Sequence, residues 1–226
     1  MQNKRGVLVI LEGIDQSGKS SATKRVKEIS RLSFAGCRNL ESVKFCDTLR
    51  KIGYGAFMNC PNLLEVSIPV GVEVCEAAFM DCRNLKKVVL PPLKVLPKNL
   101  FKGCVSLEEI VIPDTVEIIE EGCFYGCKNL KQITFPNTIE RIEPYAFGES
   151  GLEELVLPNS VQHIMEFSFY NCTKLKSITF SENLKSIGTG AFAFTAVAEV
   201  SLPDSIRHLS AEVFMECDEL VSIKFP

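Results

Sequence analysis

Apolar residues recur along this chain with a period of 22 or 23 positions, which is much longer than the period of a helix or strand. A second apolar residue stands five positions before each repeat phenylalanine, beginning with Ile29 and ending with Leu209. A fixed period of this length predicts a solenoid, in which each repeat is one structural unit stacked on its neighbours. The nine repeat phenylalanines are Phe34, Phe57, Phe79, Phe101, Phe124, Phe147, Phe169, Phe192 and Phe214.

Each phenylalanine is followed by a segment with the pattern of a short β-strand. In FMNCPNLLEVSIP and FMDCRNLKKVVLP the third and fifth residues after the repeat leucine are apolar, and a proline usually ends the segment. Alternate residues of a strand share one face, so Val66 and Ile68 should point inward. Neighbouring strands roughly 4.8 Å apart would join these positions into one core. The sequence therefore predicts an α/β-type repeat solenoid, mostly β, with a parallel sheet of about nine short strands.

The ten cysteines raise the question of a metal site or of disulfides. Seven of them stand three residues after a repeat phenylalanine: Cys37, Cys60, Cys82, Cys104, Cys127, Cys172 and Cys217. Metal ligands must converge on one point, whereas equivalent positions of stacked repeats lie along a line. We therefore expect a column of small buried thiols and no metal site. The two histidines, His163 and His208, are two repeats apart, and we expect no metal between them.

The outward positions of the strands form the surface on which a partner is expected to bind. Opposite charges on neighbouring strands would also stabilise their pairing by about 0.2–1 kcal/mol each. These positions carry no aromatic residue, so bases and sugars have nothing to stack on, and a protein or peptide is the predicted partner. The candidate binding residues are Lys87, Val89, Glu109, Val111, Gln132, Thr134, Glu154, Val156, Ser177 and Thr179.

Composition and charge exclude some partners and locations. With 46% hydrophobic and 23% charged residues among 226, the chain is typical of a folded protein rather than a disordered one. A net charge of -3 gives no positive field that would attract nucleic acid or anionic lipid. The longest early apolar run, residues 7–11, is too short to span a membrane or to form an export signal. We therefore expect no membrane insertion and a cytoplasmic location.

The repeat unit, with its spaced Ile, Phe, Cys, Leu and Pro, resembles the BspA-like leucine-rich repeat over residues 26–226. This resemblance implies a right-handed leucine-rich-repeat solenoid whose parallel strands form a concave sheet. The family occurs in surface and adhesion proteins of bacteria and of some protists. The resemblance therefore implies a non-catalytic scaffold for protein interaction or adhesion, and it makes the cell surface an alternative location.

Residues 12–20, EGIDQSGKS, do not fit the repeat. They contain the phosphate-binding pattern G-x-x-x-x-G-K-[ST], in which backbone N–H groups hold phosphates, the lysine reaches the β- and γ-phosphates and the serine binds Mg²⁺. The stretch RGVLVILEGIDQSGKSSATKR is similar to the opening of thymidylate kinase, a P-loop nucleoside monophosphate kinase. The resemblance implies a Mg-ATP site, and Asp15 would contact the sugar of the substrate nucleotide. The implied site residues are Gly13, Asp15, Ser17, Gly18, Lys19, Ser20 and Ser21.

Three functions remain open on the sequence alone. The first is a scaffold that binds a protein or peptide and needs no cofactor. The second is a nucleotide-binding repeat protein whose P-loop segment caps the first repeat, and the third is a remnant of a thymidylate kinase or an active one. We favour the scaffold, because phosphoryl transfer also needs further acidic and basic groups on a covered parallel sheet. The repeats occupy the length of chain that would supply them.

The pattern also divides the chain and describes its ends. Residue Ile29 extends the repeats back to about Val26, so we divide the chain into a P-loop-like segment, residues 1–25, and nine repeats, residues 26–226. The sequence stops at Pro226, directly after the predicted strand residues Ile223 and Phe225. Repeat arrays need polar end caps, so this last repeat predicts self-association.

Overall fold

The computed structural model describes residues 6–9 and 26–226, and within them it contains strands and turns but no helix. Most repeats contain two short strands separated by turns, which is one strand more than the sequence pattern predicts for each repeat. The strands are β1 (Gly6–Val9), β2 (Glu28–Ile29), β3 (Leu40–Lys44), β4 (Lys51–Ile52), β5 (Glu65–Ser67), β6 (Glu73–Val74), β7 (Lys87–Val89), β8 (Val95–Leu96), β9 (Ile118–Ile119), β10 (Arg141–Ile142), β11 (Glu154–Val156), β12 (His163–Ile164), β13 (Ser177–Thr179), β14 (Ser186–Ile187), β15 (Glu199–Ser201) and β16 (Ser222–Lys224).

The strands form two rows of parallel pairs that run along the solenoid. We call the strands that follow the repeat leucines the first row; they pair as β1-β3-β5-β7, β11-β13 and β15-β16. The second row consists of the two-residue strands, which pair as β2-β4-β6 and β8-β9-β10-β12-β14. Each strand pairs with a strand of a neighbouring repeat or with β1, so the chain adds one layer to the stack with each repeat. The structure thus confirms the parallel leucine-rich-repeat solenoid of about nine turns.

The repeat phenylalanines form one continuous stack of rings. Successive ring centroids from Phe34 to Phe214 are 5.1 to 6.1 Å apart, with interplanar angles of 2 to 23°. The seven rings from Phe57 to Phe192 are fully buried, and the two end rings are partly exposed or lie at the margin of the core. Burying one such side chain stabilises the fold by about 1.5–3 kcal/mol. The stack therefore forms the wall that the 22- or 23-residue period predicted.

The inward strand positions complete the core on the opposite side. Val66, Ile68, Ile110 and Ile112 are all buried, as the alternation of apolar and polar residues predicted. Ile133, at the same position as Ile110 one repeat later, is partly exposed. The core is therefore continuous, but it is less completely covered at Ile133.

Six of the seven cysteines of the predicted column are buried, as expected, whereas Cys37 in the first repeat is exposed. Each buried thiol of the column donates a hydrogen bond of 3.1 to 3.3 Å to the carbonyl oxygen of the repeat phenylalanine in the preceding repeat. The donors are Cys60, Cys82, Cys104, Cys127, Cys172 and Cys217. Ser150 and Thr195 fill the same position in the two repeats without such a cysteine. All ten cysteines are free thiols. Cysteine at this position thus satisfies a buried carbonyl and packs as a small side chain.

The turns around each phenylalanine share an unusual backbone geometry. In all nine repeats, the residues two positions before and two positions after the phenylalanine have positive φ, between 52° and 74°. Glycine and asparagine adopt this left-handed conformation at little cost, and most repeats place small or polar residues there. Tyr145, Phe167 and Phe194 are the aromatic exceptions.

The first row is interrupted, which differs from the predicted continuous sheet. β7 does not pair with residues 109–111, residues 132–134 do not pair with β11, and β13 does not pair with β15. Residues 109–111 and 132–134 are joined to each other by a single parallel bridge, between Val111 and Thr134. The first interruption coincides with the widest ring spacing, 6.1 Å between Phe79 and Phe101, whereas paired strands need about 4.8 Å. The other two interruptions lie before β11 and before β15, which belong to the two repeats that have one residue fewer in the turn.

The two ends of the first row differ. At one end β1 pairs in parallel with β3, with Val7 opposite Ser42 and Val9 opposite Lys44, so this short strand adds a layer before the first repeat. At the other end β16 pairs with β15, and among residues 6–9 and 26–226 no strand pairs with its outer edge. Phe225 beyond it is 63% exposed. The self-association expected at this end stays a prediction.

Candidate functional site

All ten candidate partner-binding residues lie on the solvent-exposed side of the first row. Between them, the inward residues such as Val88 and Leu155 are buried, so the alternation predicted from the sequence is observed. Val111 is 82% exposed, which is the largest exposure among the large hydrophobic residues described. Because this apolar side chain is so exposed, its burial by a partner would lower the free energy of the complex.

The structure brings these residues together in three groups rather than in two continuous stripes. Glu154 lies opposite Ser177, and Val156 opposite Thr179, in the paired strands β11 and β13. The bridge places Val111 opposite Thr134, and this group also contains Glu109 and Gln132. Lys87 and Val89 pair with Glu65 and Ser67 of β5 and not with the next repeat. The candidate residues are therefore divided where the strands separate.

Among the described residues, the opposite charges of neighbouring strands form one ion pair on this face. Lys131 Nζ lies 3.3 Å from Glu153 Oε1, and both side chains are largely exposed. Lys87 and Glu109, which stand on either side of the first interruption, form no ion pair in the part of the chain that the structure describes. Exposed ion pairs contribute little to stability, so the charges do not hold this row together.

A groove of about 850 Å³ lies where the first row is interrupted. Its lining comes from residues 87–90, 109–114 and 132–137, and it includes Val111 and the partly exposed Ile133. A second space of about 430 Å³ lies on the other side of residues 132–134, next to Glu154 and Val156. Volumes of this size are typical of binding pockets. The groove is therefore the larger of these two spaces, and the predicted binding residues line both of them.

The edges of the groove carry backbone groups without a strand partner. No backbone hydrogen bond joins residues 86–90 to residues 108–112. On its other side β7 is fully paired with β5. Unpaired strand edges of this kind accept an added strand from another chain. The groove thus offers apolar side chains and free backbone groups together.

The candidate phosphate-binding residues lie outside the residues that the structure describes. These are Gly13, Asp15, Ser17, Gly18, Lys19, Ser20 and Ser21. The strand predicted to precede them is described in part, as β1, and it joins the first row. A Mg-ATP site in this segment stays a prediction.

The thiols and histidines form no metal centre in residues 26–226. No group of three or more His, Cys, Asp or Glu residues there could hold an ion. His163 Nδ1 lies 2.9 Å from Ser186 Oγ in the next repeat, and burial together with Arg141 and Lys185 lowers the pKa of His163. Burial raises the pKa of Cys172 to about 11. The hydrogen bond of His163 and the burial of Cys172 are typical of residues that support the fold.

None of the described residues forms a helix with the length and apolar character needed to cross a bilayer.

The structure reveals a second surface that the sequence reasoning missed. Five partly exposed aromatic residues, Tyr125, Tyr145, Phe167, Tyr170 and Phe194, lie together on the turns next to the phenylalanine stack, and we call them the aromatic patch. They occupy turn positions at which the other repeats have no aromatic residue and mostly small, polar or flexible side chains. An alignment of the nine turns shows these additional aromatic residues, whereas the sequence analysis considered the outward positions of the strands.

Comparison with known proteins identifies the repeat. The BspA type leucine rich repeat region matches in six copies, over residues 18–96 and 94–221. No protein of curated function matches the chain.

Solved structures show the same fold. A leucine-rich repeat protein from Bacteroides ovatus ATCC 8483 is 27% identical, with a TM-score of 0.63 over 90% of this chain and 65% of that chain. The chain thus spans less than two thirds of the length of that protein. The pneumococcal vaccine antigen PcpA is 17% identical, with a TM-score of 0.52 over 96% of this chain and 67% of that chain. A leucine rich cell surface protein from Faecalibacterium prausnitzii A2-165 is 21% identical, with a TM-score of 0.44 over 98% of this chain and 82% of that chain. The family match covers most of the repeats, and the chain belongs to the BspA type leucine-rich repeat family.

Proposed function

We propose that this chain is a non-catalytic scaffold that binds an extended segment of another protein at the groove of the first row. The observation that carries the proposal is the interruption between β7 and residues 109–111, which leaves backbone edges open beside the exposed Val111. An extended segment can pair with such an edge, while its alternate side chains enter apolar pockets. Lys87 and Glu109 at the rim would then select the charge of the segment.

Membership of the repeat family supports this proposal. Repeat solenoids use extended surfaces for binding, because each repeat adds equivalent positions to one face. A location at the cell surface is part of the same proposal, and it rests on the resemblance of the repeats to those of surface and adhesion proteins. Protease treatment of intact cells that express the chain tests this location, since a surface protein is cleaved while the cells remain whole.

Selection from a library of random linear peptides tests the groove directly. We expect selected peptides to bind the wild type and to lose most of their affinity for Val111→Glu, because the charge would enter an apolar contact. Val70→Glu is the matched control: Val70 is 78% exposed, compared with 82% for Val111, and it lies outside the groove. Substitutions at such exposed positions change stability by about 0.5 kcal/mol or less, so both variants should fold.

Two results would contradict the groove proposal. One is a set of selected peptides that bind Val111→Glu as tightly as the wild type. The other is a selection that yields no binder to the folded chain.

We propose, as a second function, that the P-loop-like segment binds the phosphates of a nucleotide. The sequence of residues 13–20 favours it, and so does the parallel pairing of β1, since the strand before a P-loop belongs to a parallel sheet. Calorimetric titration with Mg-ATP and with thymidylate tests the proposal, with Lys19→Ala as the control. Heat that disappears in the variant supports the site, and turnover of labelled ATP would support the kinase. No heat in the wild type would contradict both.

A further inference from the structure

The aromatic patch is a compact surface centred on Tyr145. The ring centroid of Tyr145 lies 5.1 Å from that of Phe167, 6.3 Å from that of Tyr125 and 6.4 Å from that of Tyr170. Phe194 continues the surface, with its centroid 5.4 Å from that of Tyr170. Tyr145 itself is 38% exposed, so the centre of the patch is open to solvent.

Three of these rings stand on backbone positions that bulky residues rarely adopt. Tyr145, Phe167 and Phe194 have φ of 56°, 56° and 59°, in the left-handed region. Equivalent turns have glycine at Gly122 and Gly190, which reach this conformation without steric cost. Strained residues persist mainly where a function retains them. Aromatic residues at three such positions in one cluster thus indicate a use for the exposed rings.

Glycines in the next repeats give the rings room to lie against the turns. A Cβ on Gly148 would lie 2.9 Å from Cδ2 of Tyr125, and a Cβ on Gly190 would overlap the ring of Phe167. The ring of Tyr145 stacks on Phe167 with an interplanar angle of 15°. The rings are therefore held in fixed orientations by the layers that follow, so the patch is preorganised for binding.

The charges at the patch favour a cationic partner. Tyr125 donates a hydrogen bond to Glu149, and the exposed Glu166 directly precedes Phe167. Neither carboxylate forms a salt bridge with the described residues. Lys102 Nζ already lies 5.1 Å from the ring centroid of Tyr125, which shows that a ring of the patch accepts a cation. A cation over an aromatic face is attracted by the negative face of the ring, and arginine also stacks on it.

We propose that the aromatic patch binds an arginine-rich segment of another protein, at a site separate from the groove. The guanidinium groups would stack on the ring faces around Tyr145 and pair with Glu149 and Glu166. This site does not depend on the function proposed for the first row, because none of its residues lines the groove.

Tyrosine fluorescence provides a direct test, because the chain has no tryptophan and three of its four tyrosines lie in the patch. The Tyr54→Phe background removes the remaining one, and acetylated, amidated tetra-arginine is the probe. We expect a saturable change of fluorescence. Phe167→Leu should weaken binding by about three- to tenfold, as expected for the loss of one ring face. Leu32 has the same turn position with φ of 57°, so leucine is compatible with this backbone.

Controls separate this site from the groove and from general attraction to an acidic chain. Val111→Ser should leave the affinity for tetra-arginine unchanged, and circular dichroism should show that Phe167→Leu remains folded. Tetraglutamate and a neutral oligosaccharide should produce no saturable change. The proposal is overturned if tetra-arginine gives no saturation, if Phe167→Leu binds it as the wild type does, if Val111→Ser weakens it, or if either comparison probe gives an equal signal.

Discussion

At the scale of single residues, the repeat phenylalanine and cysteine have complementary roles. The ring fills the core from one repeat to the next. The thiol donates a hydrogen bond to the carbonyl oxygen of the phenylalanine in the preceding repeat, and a side chain without a donor would remove this bond. Hydrophobic burial supplies the stabilisation, whereas the hydrogen bond mainly avoids the cost of a buried acceptor. Both roles repeat along the stack, and this explains why the two residue types recur at fixed spacing.

Truncation of a central ring tests the role of the stack. Phe124→Ala removes a fully buried ring between two stacked neighbours, at 5.7 and 5.1 Å. We expect a loss of about 3–5 kcal/mol in the free energy of unfolding, measured by urea titration. Phe34→Ala, at the partly exposed end of the stack, is the matched control and should cost less. Equal losses for the two variants would contradict a continuous buried stack.

The cysteine column predicts which thiols react in the folded protein. Cys37 is exposed and Cys75 is partly exposed, whereas the other eight cysteines are buried. Burial raises the pKa of Cys104 and Cys123, so their reactive thiolates are scarce at neutral pH. We expect brief alkylation at pH 8 to label Cys37 and, more slowly, Cys75, as read by peptide mass spectrometry. The unfolded chain should label at all ten, and rapid labelling of Cys104 in the folded chain would contradict the column.

The aromatic patch makes a different prediction about stability. Tyr145→Asn exchanges a strained aromatic residue for one that tolerates positive φ, which relieves about 1–2 kcal/mol of strain. It also removes aromatic contacts worth about 0.5–1.5 kcal/mol. The two effects nearly cancel, so we expect the midpoint of urea unfolding to change little while binding of tetra-arginine weakens. A loss of stability as large as that of Phe124→Ala would show that Tyr145 belongs to the core.

At the scale of elements, the sequence predicted the strands and their faces but not their separation. The period of the apolar residues determined the stack, and the alternation after each leucine determined that Val88 is buried and Val89 exposed. The first interruption of the first row coincides with a wide spacing between the phenylalanine rings of two neighbouring repeats. This spacing depends on two repeats together, so the sequence of one repeat does not predict it. The shorter turns at Ser150 and Thr195 were visible in the sequence, but their effect on strand pairing was not. The aromatic patch was missed because its residues lie at turn positions whose backbone conformation the sequence does not show.

The pairing of β1 with β3 predicts that the N-terminal segment stabilises the first repeat. Deletion of residues 1–25 removes β1 and leaves the edge of β3 without this partner. We expect the melting temperature to fall, by about 2–4 °C for each kcal/mol of pairing that is lost. Differential scanning calorimetry of the full and shortened chains measures the effect. An unchanged melting temperature would show that β1 contributes nothing to the stack.

At the scale of the whole molecule, a continuous core carries two separate surfaces. The ring stack runs through all nine repeats, and the cysteines, replaced by Ser150 and Thr195 in two repeats, pack beside it, so local variation in strands and turns does not disrupt the fold. The first row varies where strands separate, and this produces the groove; the turns vary where aromatic residues replace small ones, and this produces the aromatic patch. Function is therefore expected where the repeat departs from its own pattern.

Hydrogen exchange read by mass spectrometry tests this account most directly, because it reports the backbone pairing on which the groove depends. We predict slow exchange for amides of strand β5, which pairs with a strand on each side, and faster exchange across residues 109–111, which lie beside the interruption. Addition of a peptide selected for the groove should slow exchange at residues 109–111 and leave the aromatic patch unchanged. Uniform slow exchange along the whole first row, with no peptide present, would show a continuous sheet and contradict the account.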